Sequence, residues 1–331
     1  MTQPEQEPEF TIATANNVSV VIPAHNEADA LPDLIDAILH NLEGANVNPT
    51  VIVVDDGSTD QTAQYLLQRR AVDTRVHLIR LSRNFGHQSA LLAGLHSAPG
   101  DAVICMDGDG QHPPGVLPEL VEAWRAGANV VNTLREDSHD VGALKRMTSR
   151  LFYRCFAFFT GLRLEHGMAD FRLFDRSALT ALLSAEGKRP FIRGTAIWIG
   201  FDQATIRYRA DPRRTGTSSY SLRSMWQLAR DGIIGFSSRP LWMIGGAGFA
   251  CSLLAFAFAL YGAVVGLVSE SAVPGWASTV AIFSGLQCLL FLSLGMLNLY
   301  VAALSAQTGP QPEFIVNSSS LADQTSSPTA P

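Results

Sequence analysis

The chain is 331 residues long, 47% hydrophobic and 16% charged, with a formal net charge of −6. That length admits one large globular domain plus something smaller, and the negative charge excludes the basic footprint with which proteins hold nucleic acid. Charge and apolar surplus are both unevenly placed: all 24 Lys and Arg, and 27 of the 30 Asp and Glu, lie at or before Arg239.

Residues 1–17 are polar and acidic without an apolar core, which fits a disordered N-terminal tail rather than a signal peptide and keeps the bulk of the chain in the cytoplasm. Apolar, β-branched runs then predict buried strands at Val18–Ala24, Val51–Val54, Val76–Leu81, Ala102–Met106 and Asn129–Leu134. Helical patterns lie between them, at Ala28–Leu42, Thr59–Arg69, His87–Ser97 and Val116–Ala126. This alternation predicts an α/β domain over 18–218 with a Rossmann-like, mostly parallel sheet covered on both faces. Ligands of such sheets bind beyond the carboxyl ends of the strands. Three polar clusters follow strand ends here: Pro23-Ala24-His25-Asn26-Glu27, Asp55-Asp56-Gly57-Ser58 and Asp107-Gly108-Asp109.

From Gly142 to Gly161 the pattern changes. Arg146, Arg150 and Arg154 form an i, i+4, i+8 stripe beside four phenylalanines, which reads as an interfacial helix on anionic lipid, against the alternative of a core-packed helix with a solvated basic face. A second amphipathic segment, 219–239, carries Arg223 and Arg230 against Leu222, Met225, Trp226, Ile233 and Ile234. Residues 241–268 and 278–306 hold no Asp, Glu, Lys, Arg or His, and each exceeds the roughly 20 apolar residues of a transmembrane helix. Pro274 and Gly275 break the helix between them, and Gly245, Gly246, Gly248 and Gly262 would let the two backbones approach closely. Basic residues precede the first span and are missing from the connector, so the positive-inside rule makes this a multi-pass protein of the inner or plasma membrane with its catalytic domain in the cytoplasm. The Ser, Thr and Pro content of 307–331 predicts a disordered cytoplasmic tail. The alternative to a membrane hairpin is a buried helical hairpin in a soluble protein. Cys105, Cys155, Cys251 and Cys288 show no CxxC spacing and read as small buried hydrophobes.

Asp107 and Asp109 can point oxygens at one hard divalent cation that bridges a diphosphate, with Gln111 as a further carbonyl ligand. Pro113 and Pro114 fix the loop that follows. Four segments occur in order: Val20-Val21-Ile22-Pro23-Ala24-His25-Asn26-Glu27, Val53-Val54-Asp55-Asp56-Gly57-Ser58-Thr59-Asp60, Arg83-Asn84-Phe85-Gly86-His87-Gln88 and Met106-Asp107-Gly108-Asp109-Gly110-Gln111-His112-Pro113-Pro114. Together they resemble the family 2 glycosyltransferases with the GT-A fold. Within these, the chain is similar to the polyprenyl-phosphate glycosyltransferases, the group of dolichol-phosphate mannose synthase and the bacterial undecaprenyl-phosphate glucosyltransferases.

The resemblance implies transfer of a sugar from a UDP- or GDP-linked donor to a polyprenyl phosphate at the cytoplasmic membrane face. It implies inversion, dependence on Mg²⁺ or Mn²⁺, and a place in cell-envelope glycan or glycolipid modification. It puts Pro23, Ala24, Glu27, Asp55 and Asp56 on the donor base and ribose, and Asp107, Gly108 and Asp109 along the diphosphate. Asp107, Asp109 and Gln111 would hold the metal, and Arg135, Lys145 and Ser149 the lipid phosphate. Asp170 matches an acidic residue near the acceptor. Arg213 and Arg214, with Gly216, Ser218 and Tyr220, match a flexible loop that closes over the diphosphate. Asp109, Asp170, Arg213 and Arg214 are thus the expected catalytic residues.

The chemistry asks for similar groups independently. A departing nucleoside diphosphate needs a metal and arginines for its growing charge. A phosphomonoester, with a second pKa of about 6, is already a nucleophile at neutral pH, so Asp170 is expected to orient rather than deprotonate. His25 stands where the family usually has Tyr, and Gly108 and Gly110 replace bulkier residues, which would loosen the metal loop. A processive polysaccharide synthase would carry QxxRW where the chain has Gln227 to Asp231 (QLARD), and more spans. A catalytically inactive nucleotide-sugar-binding membrane scaffold would not need both DxD carboxylates and the arginine loop. No GxGxxG follows the first strand and no P-loop is present. The sugar and any homo-oligomer stay open.

Overall fold

Every residue of β1 (Asn17–Ala24) after Asn17 is buried, as a strand covered on both faces requires. In the computed structural model β1 pairs in parallel with β2 (Asn48–Asp55) on one side and β4 (Ala102–Cys105) on the other, and β2 pairs in parallel with β3 (Val76–Leu81). The structure describes residues 17–136, 154, 157–160, 167–185, 191–209, 275–308 and 312–321, together with positions 239, 243, 246, 248, 250, 253 and 257.

Helices α1 (Leu31–Gly44), α2 (Thr62–Val72) and α3 (His87–Ser97) make the crossovers, and α4 (Leu117–Arg125) follows β4. α1 buries Leu31, Leu34, Ile35, Ile38, Leu39 and Leu42, the i, i+3, i+4 stripe that lays a helix on a sheet. α3 packs closely enough that a Cβ at Gly94 would stand 2.2 Å from Val21 Cγ1. These elements stand where the sequence predicts them.

Three further strands were not anticipated. β5 (Val130–Glu136), which was, does not pair with β4 directly. β6 (Met168–Asp175) lies between them and antiparallel to both, and β7 (Gln203–Arg209) adds in parallel beyond β5. Because β6 runs backwards, its beginning lies at the carboxyl edge of β4: Cys105 pairs with Arg172, which leaves Asp170 just beyond the end of β4. Helices Arg176–Ala185 and Ile192–Trp198 return the chain from β6 to β7.

The C-terminal segment corrects an expectation. Within 307–331, read as disordered, β8 (Val316–Ser319) pairs antiparallel with β3 and completes an eight-stranded sheet in the order β7-β5-β6-β4-β1-β2-β3-β8. Backbone bonds extend the pairing, Ser82 N to the Ile315 carbonyl and Ser320 N to the Leu78 carbonyl. Phe314 and Leu321 pack on the core beside α3. A Ser- and Asn-rich strand is possible here because the neighbouring edge supplies its backbone partners, so no apolar run is required of it.

The chain divides into two compact units: Met1–Arg146, Leu164–Ser218 and Pro312–Pro331 form one, Met147–Arg163 and Ser219–Gln311 the other. The catalytic domain therefore extends past the expected 18–218 to take in the C-terminal segment, while 147–163 falls to the second unit. In that second unit a helix runs from Trp276 to Thr308, 33 residues or about 50 Å. The described positions between 239 and 257 are helical, and a Cβ on Gly248 would meet Ser293 Oγ at 4.0 Å. Counted over the described residues, no helix is long and apolar enough to cross a membrane. The first expected span, 241–268, lies largely outside them, as do several side chains of the second. Most of the 142–161 helix, almost all of 219–239 and the tail at 1–16 also fall outside the described residues.

Candidate active site

The loops after β1, β2 and β4 meet at the carboxyl edge. Asp55, fully buried, accepts the Ser58 N–H on Oδ1 at 2.8 Å, and Arg80 Nε stands 3.3 Å from Oδ2. Asp56 ties its loop to α3: Oδ1 accepts Phe85 N–H at 2.7 Å and Oδ2 accepts Gly86 N–H at 2.9 Å. Its own N–H donates to the Ala24 carbonyl, and its carbonyl lies 2.8 Å from His25 Nδ1. His25 thus fixes the loop and stays exposed. Glu27 donates its N–H to Thr62 Oγ1 at 3.1 Å. Pro23 and Ala24 close β1 as buried residues.

Asp107 lies between two imidazoles. His87 Nε2, at the start of α3, is 2.8 Å from Oδ1, and His112 Nε2 is 3.0 Å from Oδ2. An ionised carboxylate only accepts, so both rings present N–H to it. His112 Nδ1 in turn lies 2.8 Å from the Tyr208 hydroxyl on β7. Burial works against the Asp107 charge, but the hydrogen bonds and charges of His112 and His87 outweigh it and hold the carboxyl well below its usual range. Burial likewise opposes charging of His87, and the hydrogen bond and charge of Asp107 outweigh that and raise it.

Asp109 accepts the Gln111 backbone N–H on Oδ1 at 3.0 Å and its amide Nε2 on Oδ2 at 2.8 Å. The amide oxygen of Gln111 accepts from Arg135 Nη1 at 2.9 Å, so Gln111 links Asp109 to Arg135 and turns its nitrogen towards the acidic pair. A Cβ at Gly108 would stand 3.2 Å from the Pro23 carbonyl oxygen and 3.3 Å from Ile22 Cγ2. The glycine is therefore close-packed against the end of β1, and does not loosen the turn as the comparison of residue sizes suggested.

Asp170, near the start of β6, carries Gln88 Nε2 at 3.1 Å on Oδ2 and Arg193 at 3.1 and 3.3 Å, with Arg172 Nη2 3.6 Å away. Burial opposes its ionisation, and Arg193 and Arg172 overcome this and lower its pKa. Arg172 is fully buried, with Nε and Nη1 unpartnered.

Asp107, Asp109, Gln111, Arg135 and Asp170 are thus brought to one edge, with Pro23, Ala24, Asp55 and Asp56 beside them. Lys145, Ser149, Arg213, Arg214, Gly216, Ser218 and Tyr220 lie outside the described residues. Four side chains escaped the sequence reading of roles: His87, Gln88, His112 and Arg193. The first three sit inside quoted motifs, and a polar His-Gln pair opening a helix beyond a strand end was the available signal. Among the described residues no three His, Cys, Asp or Glu side chains gather as a metal cage. Two carboxylates two residues apart at a strand end are nonetheless the donor set of a cation shared with substrate phosphates, so Asp107 and Asp109 fit such a group.

The family model for glycosyl transferase family 2 matches residues 19–183. Uncharacterized glycosyltransferase YkcC of Bacillus subtilis (strain 168) is 32% identical over 91% of this chain and 93% of its own length. Bactoprenol glucosyl transferase of Shigella phage SfII is 30% identical over 91% and 98%, and a prophage bactoprenol glucosyl transferase homolog of Escherichia coli (strain K12) is 29% identical over 90% and 98%. A mycobacterial glucosyl-3-phosphoglycerate synthase structure shows a partial likeness, with a TM-score of 0.47 and 24% identity over 67% of this chain and 77% of its own. The relatives match about nine-tenths of the chain, and the family model spans the segment that carries Asp107, Asp109 and Asp170, so the protein belongs to glycosyl transferase family 2 and is a glycosyltransferase.

Proposed function

We propose that the protein transfers a sugar from a nucleotide-diphosphate sugar to a polyprenyl phosphate at the cytoplasmic face of a membrane in which its second unit is embedded. One observation carries the reading: Asp107 and Asp109 stand at the strand edge, and the first turn of α3 links Asp107, through His87, to Asp170, through Gln88. A donor diphosphate side and an acceptor side are thereby joined within one site. The relatives named as bactoprenol glucosyl transferases support a polyprenyl phosphate as acceptor.

Pro23, Ala24, Glu27, Asp55 and Asp56 bound the space for the donor base and ribose. Asp107 and Asp109 would hold Mg²⁺ or Mn²⁺, which when bound supplies positive charge to the leaving diphosphate. Arg213 and Arg214 would add to that charge from the loop of Gly216, Ser218 and Tyr220, and Arg135, Lys145 and Ser149 would face the lipid phosphate. The acceptor dianion attacks the anomeric carbon directly, with inversion, and Asp170, paired with arginines, takes no proton.

The membrane reading draws on three observations. Residues 276–308 form one helix without an Asp, Glu, Lys, Arg or His, and it exposes Phe283, Leu290, Phe291, Leu294, Val301 and Leu304. The chain leaves the catalytic unit after Ser218 and rejoins it by Pro312, so any crossing between must be even in number. The basic, phenylalanine-rich segment 147–163 belongs to the same unit as 219–311, which suits an interfacial helix.

The test is transfer of label from a panel of UDP- and GDP-sugars to a short polyprenyl phosphate in detergent, with Mn²⁺ and then with chelator. Label in the lipid phase from one donor, lost with chelator or in Asp109→Asn, is the expected result. No transfer from any donor, despite metal-dependent nucleotide binding, would replace this reading with an inactive sugar-nucleotide scaffold or another acceptor.

A further inference from the structure

Both oxygens of Asp170 are taken by protein donors. Gln88 approaches from α3, Arg193 from the helix Ile192–Trp198, and Arg172 from beneath on β6. Arg193 forks onto the carboxylate, Nε 3.3 Å from Oδ1 and Nη2 3.1 Å from Oδ2. Such a two-point contact fixes the plane of a guanidinium. The two arginines differ in access: the Arg172 side chain is 1% exposed, whereas that of Arg193 is 21% exposed. Arg193 shares the Asp170 carboxylate with Gln88, and the adjoining His87 binds Asp107. Arg193 therefore stands on the same edge as the acidic pair. With Asp107 and Asp109 committed to a cation, an acceptor phosphate dianion requires cations of its own. Beside Asp109 and Asp170, Arg135 and Arg193 are arginines that reach solvent, whereas Arg80 and Arg83 reach it on the Asp55–Asp56 side.

We propose that Arg193 is a phosphate-binding residue on the acceptor side, and that Asp170 is the positioning residue that orients its guanidinium. The inference rests on the polyprenyl-phosphate reading above. The chemistry recognised is a phosphate dianion, and it has two sources, the lipid phosphomonoester and the donor diphosphate. The contact with Asp170, the acidic residue proposed to lie near the acceptor, favours the first.

The experiment uses the full chain in detergent. Transfer is measured against a short polyprenyl phosphate at saturating donor, and against the donor at saturating acceptor. Binding of UDP and of the short polyprenyl phosphate is followed by calorimetry. Arg193→Gln should raise the acceptor KM by about 10- to 100-fold, the loss of one charge-assisted contact. Donor KM and UDP affinity should stay within about twofold of wild type. Arg193→Lys should recover part of the loss. Asp170→Asn should raise the acceptor KM in the same direction, and the double variant should lose no more than Arg193→Gln alone, because coupled residues are not additive. An unchanged acceptor KM in Arg193→Gln overturns the inference. So does a rise in donor KM instead, which would put the arginine on the diphosphate, or a double variant in which both losses add. Loss of UDP binding in Arg193→Gln and Arg193→Lys alike would make the arginine a fold residue and overturns it too. A wild-type protein that transfers to no polyprenyl phosphate would remove the acceptor reading itself, and this inference with it.

Discussion

The hydroxyl of Ser320 accepts the backbone N–H of Leu78 at 2.8 Å and donates to the carbonyl of the same residue at 3.1 Å, across 242 positions of chain. This pairing pins β8 to the edge of β3 and gives the polar C-terminal segment its place. Replacing Ser320 by Ala should lower the stability of the catalytic unit by about 1 kcal/mol, a fall of about 2–4 °C in its unfolding midpoint. Deleting 312–331 should uncover the β3 edge and promote self-association. Scanning calorimetry and light scattering in detergent check both, and a deletion that stays monodisperse with an unchanged midpoint would contradict them.

Gly57 has φ +66°, and a Cβ there would lie 2.6 Å from the Arg83 carbonyl carbon and the Asn84 nitrogen. Neither backbone atom can move without disturbing the amides of Phe85 and Gly86 that hold Asp56. Gly57→Ala should therefore cost about 1–3 kcal/mol and weaken nucleotide binding together with stability. Thermal unfolding and UDP calorimetry on the one variant would show the two effects moving together.

The pH profile distinguishes orientation from base catalysis at Asp170. Its carboxyl, opposed by burial but held by Arg193 and Arg172, ionises below its ordinary range. The acid limb of kcat/KM for the acceptor should then follow the second ionisation of the phosphate, at about pH 6, and persist in Asp170→Asn at a reduced rate. An acid limb present in wild type and missing in the variant would assign the proton to Asp170.

Asp175 offers an acid-stability test remote from the site. Burial raises its pKa, but hydrogen bonds from Ser177 and from Trp124 Nε1 at 3.0 Å outweigh this and lower it. A carboxyl lowered in the folded state contributes stability above its unfolded pKa, about 3.9, and loses it as pH falls through the lower folded value. Midpoints of wild type and Asp175→Asn should differ by a constant amount above about pH 5 and converge in strong acid. A gap that persists at the lowest pH would show that geometry, not charge, makes the difference.

Much of this architecture was legible in the sequence because burial on both faces leaves an apolar run. Val20-Val21-Ile22 and Val51-Ile52-Val53-Val54 announce β1 and β2 in that way. β6 was hidden because Arg172 interrupts its pattern, although that arginine is fully buried. β7 alternates as a sheet edge does, with Tyr208 alone fully covered, and β8 is held by its backbone. Of the site, the acidic positions could be read because strand ends and a metal turn leave a residue signature. The partners of those acids could not. Whether His87 or Arg193 meets a carboxylate depends on the reversal of β6 and the path of the helices around it, which no local pattern records.

The late entry of β8 bears on how the molecule is made. β3 leaves the ribosome long before 312–321, and the stretch between them includes every residue proposed to enter the membrane. Completion of the catalytic sheet must therefore wait until the apolar helices have been synthesised and, on the proposed topology, threaded in the correct sense. A chain whose second helix is left on the wrong side cannot deliver β8 to β3. Its open sheet edge would then distinguish the misassembled protein from the finished one, so that biogenesis carries its own proofreading signal.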